Sequence, residues 1–232
     1  MMRGLLRWTA AALGLLLALF LAYQGYVLVR LWWWVDHNPA TTAFMSARLE
    51  AMREKKPSAQ LQHVWVPYAK VSTHLKRAIL VAEDDKFVDH EGFDWDGIQK
   101  ALEKNQKKGK VVAGGSTITQ QLAKNLFLSA DRNFARKGEE ALITVLIEWL
   151  MDKERILEIY LNVIEWGEGV FGAEAAARHY FGVSAAQLSA EQSARLAAMV
   201  TRPRFYDRNR NAPWLARKTQ IILERMPRAQ LP

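Results

Sequence analysis

A chain of 232 residues, half of them hydrophobic, has enough apolar surface for one full domain with a short appendage, which argues against a disordered segment. Its 32 Lys and Arg outnumber 24 Asp and Glu, and the formal charge of +8 suits an anionic partner: nucleic acid, phospholipid headgroups or a phosphorylated substrate. Cysteine is absent, which excludes structural disulfides and thiolate metal sites and leaves the compartment open.

The first predicted element is a membrane helix. No residue from Trp8 to Val29 is charged and Leu13 to Leu21 is almost wholly aliphatic, a length that spans a bilayer. Arg3, Arg7 and the terminal amine precede the run, and Arg30 with Trp32, Trp33 and Trp34 follows it. A basic start and an aromatic exit predict entry from the cytoplasm, with the bulk of the chain outside. The competing reading is a cleaved signal peptide. Against it stand the length of the apolar run and the lack of a small-x-small cleavage site after it. Asp36 to Pro67 is polar and interrupted by Pro39, Pro57 and Pro67, so it reads as a stalk and domain entrance with a short helix near Ala43 to Glu54. The expected division is an anchor over 1–35, a stalk over 36–63 and the main domain over 64–232.

From Ser72 the pattern turns helical, through Leu75, Ile79, Leu80 and Ala82 and then Ile98, Ala101 and Leu102. Lys104 to Lys110 is expected to break it as a solvated basic loop. Trp95, Ile98 and Leu102 lie in a stretch open to two readings, a membrane-dipping jaw or ordinary core. A Gly114-Gly115 turn leads into a helix from about Thr117 to Phe127, and a long one runs from Phe134 to Met151. Helices over Lys153 to Ile164 and Ala173 to Tyr180 follow. Ser189 with Gln192 forms a capping box for a helix to Val200, and Pro213 opens the last helix. No alternating strand pattern of useful length occurs, so β structure is expected only as a minor hairpin.

Three stretches carry chemistry. EDDKFVDHEG, Glu83 to Gly92, follows the apolar run Ile79 to Ala82, which partly desolvates the Glu83 carboxylate and raises its pKa toward the range of a general base. Asp84 and His90 are placed to orient it; the plainer reading is a charged surface loop. GGSTITQQLAKN, Gly114 to Asn125, joins two glycines to a helix amino terminus, an anion-binding arrangement, with Gln120 and Lys124 on one helix face. Its plainer reading is a glycine turn capped by Ser116 or Thr117. In DRNFARKGEE, Arg132, Arg136 and Glu140 repeat at four-residue spacing and Lys137 lies three before Glu140. Alone this is an exposed ion-paired face. Beside a glycine-helix anion site, its cations suit a group on which negative charge develops, such as a departing diphosphate.

EDDKFVDHEG, GGSTITQQLAKN, RKGEE, KERILEIYLN and GAEAAARHYFG stand in the order and approximate spacing of glycosyltransferase family 51, which the chain resembles from about residue 64 to 205. The resemblance implies a mainly α, lysozyme-like glycosyltransferase domain with a smaller jaw subdomain, here preceded by one transmembrane helix. It implies a peptidoglycan glycosyltransferase whose donor is a lipid-linked glycan chain and whose acceptor is lipid II, joined by a β-1,4 link with inversion. Glu83 then matches the base and Glu140 the second essential carboxylate, whose role stays open between orienting the cations and acting at the leaving group. Lys124, Arg132, Arg136 and Lys137 match groups near the donor diphosphate. Ser116, Gln120, Gln121 and Asn125 match substrate-positioning residues, and Asp84, Phe87 and His90 support the base. KERILEIYLN and Ala173 to Gly182 carry a packing pattern rather than a site.

No Ser-x-x-Lys, Ser-x-Asn or Lys-Thr-Gly set marks a transpeptidase, so a monofunctional enzyme is expected. The five His show no paired ligand spacing, so no dedicated metal or cofactor site is expected, while a magnesium or manganese ion bridging the substrate diphosphate stays open. Anchor and resemblance together imply a bacterial inner membrane protein of a Gram-negative cell, single-pass, with its catalytic domain periplasmic; cell-wall synthase or division proteins stay open as partners. Nucleic acid is not expected as a partner. The competing functions are a lysozyme-like wall-cleaving enzyme, which has no need of the cations, and a non-catalytic membrane-tethered scaffold.

Overall fold

The computed structural model describes residues 2–110, 114–129 and 133–232, with side chains from residue 7 onward. The chain divides into two compact units, Met1–His37 and Asn38–Pro232. The first is a single helix, α1 (Met2–Asp36). Its stretch from Arg7 to Asp36 is long and apolar enough to cross a membrane. At about 1.5 Å per residue it runs about 45 Å, more than a hydrocarbon core of about 30 Å requires.

The second unit is mainly helical, as its periodicity predicts. It opens with α2 (Ala43–Lys55), capped by the Thr42 hydroxyl, which accepts from the Met45 amide. A two-residue strand β1 (Gln62–His63) follows, then α3 (Thr73–Glu83), α4 (Trp95–Lys108), α5 (Ile118–Phe127), α6 (Phe134–Leu150) and α7 (Lys153–Val163). A hairpin of β2 (Glu165–Gly167) and β3 (Val170–Phe171) leads to α8 (Ala173–Phe181), α9 (Ala190–Met199), α10 (Pro203–Arg208) and α11 (Pro213–Arg225). Residues 38–63, expected as stalk and entrance, supply α2 and β1 to this unit.

At the centre is α7. Ile156, Leu157 and Ile159 through Val163 are all buried, so the second half of the helix lies inside the domain while its charged first turn reaches the surface. Within that run Asn162 is fully buried and satisfied. Its Oδ1 accepts from the Val66 amide (2.8 Å), and its Nδ2 donates to the carbonyls of Val66 and Glu158 (both 2.9 Å). On another side α9 packs against α3 and α11; Ser193, Ala194, Ala197 and Ala198 are buried there, and side chains this small let backbones approach closely. The expected Ser189–Gln192 capping box opens α9.

Two expectations need correction. Lys104 to Lys108 is helix, not loop, and α4 ends only at Gly109, in the left-handed conformation at φ 61°. Lys, Gln and Glu are good helix formers while fully solvated, and Lys107 and Lys108 lie favourably against the negative end of the helix dipole. A polar run thus loses the apolar periodicity without losing the helix. The β structure is also more than a hairpin: β2 and β3 pair antiparallel, but β1 adds to β3 in parallel, with Gln62 opposite Val170 and His63 opposite Phe171. Of the stretch left open, Trp95 and Leu102 are exposed and Ile98 is half-buried.

Gly172 ends the hairpin at φ 83° and ψ 156°, a region open in practice only to glycine, and a Cβ there would lie 2.7 Å from the Asn162 carbonyl oxygen. Gly172→Ala should therefore lower unfolding free energy by about 3 kcal/mol, measured as a shifted urea midpoint followed by tryptophan fluorescence.

Candidate active site

The α3 helix carries its apolar face, Leu75, Ala78, Ile79 and Leu80, into the core, and its last residue, Glu83, inherits that burial. The Glu83 side chain is only 9% exposed. Its Oε2 accepts from Gln121 Nε2 (3.0 Å), and Gln121 Oε1 in turn accepts from the Tyr160 hydroxyl (3.0 Å), so a relay from α7 through α5 fixes the carboxylate. Its Oε1 is buried and accepts no hydrogen bond. Burial pushes the Glu83 carboxyl above its usual range; Lys218, the Gln121 bond and Lys124 pull it back, and Asp84 adds to the rise. This is the environment expected of a general base.

Asp84 and His90 are brought together as expected, but their hydrogen bonds go to each other and to a helix end rather than to Glu83. Asp84 is buried; its Oδ1 accepts from His90 Nε2 (2.9 Å) and its Oδ2 from the Ile118 amide (2.9 Å). The protein's own carboxylate thus meets the first amide of α5, which bears out the plainer reading of a capped glycine turn over that of a ligand-binding anion site. Gly115 serves packing: a Cβ would meet the Ile98 Cα of α4 at 3.1 Å. The cap is Thr117, whose hydroxyl accepts from the Gln120 amide and donates to the Gly92 carbonyl (2.7 Å), tying the Glu83–Gly92 loop to α5. Gln120 is buried and spends its side-chain oxygen on the Thr117 amide in the capping box, so it does not line the cleft. Ser116 is exposed beside it. Phe87 is buried, edge-on to His90 and under the Lys153 ammonium, and contributes packing.

The expected cations converge. Glu140 is 3% exposed, and both its oxygens are engaged: Arg136 Nη1 donates to Oε2 (2.7 Å) and Lys137 Nζ to Oε1. The structure therefore shows Glu140 holding two cations in place. Lys124 stands nearby on α5; burial pushes its ammonium pKa down, Glu140 and Glu83 support its charge, and Arg136 and Lys137 oppose it. Arg132 lies outside the described residues.

Gln121, Lys124, Asn125 and Arg136 line a cavity of about 670 Å³, to which Glu83 is joined through Gln121. The opposite lining was not foreseen as a site. It holds Arg48, whose guanidinium bonds both oxygens of Glu165 (2.7 and 3.3 Å), and Arg202, Arg204 and Arg208 from the segment around α10. The arginine-dense run TRPRFYDRNR was a signal for the latter three. Arg48 and Lys218 carry no local pattern. Among the described residues, no three His, Asp or Glu side chains group as a metal cage.

The transglycosylase family model matches residues 49–227, a span that contains Glu83, Glu140 and the cations around them. The chain belongs to the transglycosylase family. Its relatives include three curated proteins, each called biosynthetic peptidoglycan transglycosylase. That of Dechloromonas aromatica (strain RCB) is 63% identical over the full length of both chains. That of Janthinobacterium sp. (strain Marseille) is 60% identical, covering 100% of this chain and 99% of the other. That of Herminiimonas arsenicoxydans is 61% identical over 92% of this chain and 93% of its own. The chain is a glycosyltransferase, and this transglycosylase carries Glu83 at the end of α3, Gln121, Lys124 and Asn125 on α5, and Arg136, Lys137 and Glu140 on α6.

Asp84→Ala would strip the Ile118 amide and His90 of a buried acceptor. It should destabilise the transglycosylase by about 2–3 kcal/mol, read by chemical denaturation, and lower its activity further by releasing the start of α5.

Proposed function

We propose that this transglycosylase polymerises the glycan strand of peptidoglycan, using lipid II as acceptor and the lipid-diphosphate-linked growing glycan as donor. The observation that carries the reading is a buried carboxylate oxygen with no donor on it, joined through Gln121 to a cavity whose lining holds a preorganised group of cations. Glu83 Oε1 takes the proton of the acceptor sugar hydroxyl as that oxygen attacks the anomeric carbon of the donor. The bond from that carbon to the diphosphate breaks, so an α-linked donor yields a β-1,4 product in one displacement with inversion. Negative charge grows on the departing lipid diphosphate, where Lys124, Arg136 and Lys137 meet it without reorganising. Glu140 fixes two of those cations, while Gln121 and Asn125 position the sugars. A magnesium or manganese ion, where one takes part, enters with the diphosphate and not on a dedicated protein site.

The cations favour synthesis over wall cleavage, because hydrolysis of a glycosidic link releases no diphosphate. In this reading α1 crosses the bacterial inner membrane with its amino terminus inside, following Arg3 and Arg7, and the catalytic unit works on the periplasmic side beside synthase or division proteins.

The test is incubation of detergent-solubilised protein with labelled lipid II, resolving products before and after muramidase digestion. Wild type should give muramidase-sensitive polymer. Glu83→Gln should give none while binding lipid II at close to wild-type affinity, and Lys137→Ala should weaken both binding and turnover. No polymer from wild type across detergents and divalent ions would overturn the reading. The carboxylate form of Glu83 is the active one and burial raises its pKa, so kcat/KM should be full above that raised value and fall as pH drops through it. The acid limb therefore sits above the ordinary carboxylate range, checked by initial rates across pH.

A further inference from the structure

Lys218, on α11, reaches the same carboxylate from the side opposite in sequence to every motif. Its Nζ lies 3.9 Å from Glu83 Oε1, and its side chain is 18% exposed. That separation is beyond hydrogen-bond reach, and Oε1 keeps its lone pairs unoccupied. Coulomb attraction falls only as the inverse of distance, so standing back from a contact of about 2.8 Å sacrifices roughly three-tenths of it. A directly bonded ammonium would compete with the sugar hydroxyl for Oε1; one held at this distance supplies charge without competing.

We propose that Lys218 is a positioning residue for glycosyl transfer, holding Glu83 in its carboxylate form by charge alone while leaving no bonded donor on Oε1 to compete with the acceptor hydroxyl. The proposal rests on the reading of Glu83 as the base. The charged and titratable groups facing Glu83 are Lys218 from α11, Lys124 from α5, Tyr160 from α7 and Asp84 at its own helix end. Of these, Lys218 is the strongest counterweight to burial, and Glu83 in turn is what supports the Lys218 charge against its own burial. After Glu83 has taken the proton, the same ammonium disfavours the protonated carboxyl and promotes release of the proton to solvent, restoring the base for the next addition.

The experiment compares full-length wild type, Lys218→Met, Lys218→Gln and Lys218→Arg in detergent, measuring kcat and KM for lipid II polymerisation across pH, with Glu83→Gln alongside. The neutral variants should lose roughly tenfold in kcat/KM on the acid side, carried by kcat, and approach wild type as pH rises. Lys218→Arg should keep the limb where wild type has it. Lys218→Gln stands in should Lys218→Met not fold. A uniform loss across pH, with the limb unmoved in the neutral variants, would mean that Lys218 only packs, and would sink the proposal with the base assignment intact. Wild-type turnover by Glu83→Gln would remove the base assignment itself.

Discussion

The buried carboxylate of Asp84 joins the end of α3 and the loop carrying His90 to the first turn of α5, 34 residues along the chain. Helix amino termini leave amides unsatisfied, and a carboxylate that meets one there gains both a hydrogen bond and the favourable end of the helix dipole. With that junction made, Gln121 one turn along α5 falls within 3.0 Å of Glu83, and Lys124 and Asn125 follow on toward the cavity. The site is thus positioned from its periphery, by a residue that does not itself line the cavity.

The site's electrostatics are a balance of opposed costs. Burial makes Glu83 reluctant to ionise and makes Lys124 and Lys218 reluctant to stay charged, and each offsets the penalty of the other. Glu140, itself buried, is ion-paired to both Arg136 and Lys137. Removing one partner from such a set leaves an uncompensated buried charge, which costs more than the pair contributed. That asymmetry couples the two halves of the site, although Glu83 and Glu140 share no hydrogen bond.

Much of this was legible in the sequence because helices write themselves locally. The periodicity of α3, α6 and α7 and the caps at Thr117 and Ser189 are short-range signals, and the two glutamates sat in recognisable motifs. What was not legible depends on long-range placement. Whether the α5 amino terminus faced a ligand or Asp84 turned on where another loop docked. Gln120 sits next to Gln121 in sequence, yet one caps a helix and the other holds the base, a distinction made by helix rotation against α3 and α7. Arg48 and Lys218 have no sequence neighbours that hint at carboxylates arriving from elsewhere. The basic end of α4 failed for a different reason, since a helix exposed all round shows no hydrophobic period.

The grip of Asn162 on the Val66 backbone, with the parallel pairing of β1 to β3 and the Arg48–Glu165 bridge, sets an order of assembly. These contacts join residues 96 to 117 positions apart, and they involve the part of the catalytic unit that is synthesised first. Closing loops of that length carries an entropic cost that must be met before any contact rewards it, so such topologies fold slowly. The long-range partners of residues 38–66 therefore exist only once α7 and the hairpin after it have been made. Until then the exposed edge of β1 and the unmatched guanidinium of Arg48 are open to other chains, and the nascent protein is at its most vulnerable to aggregation and proteolysis.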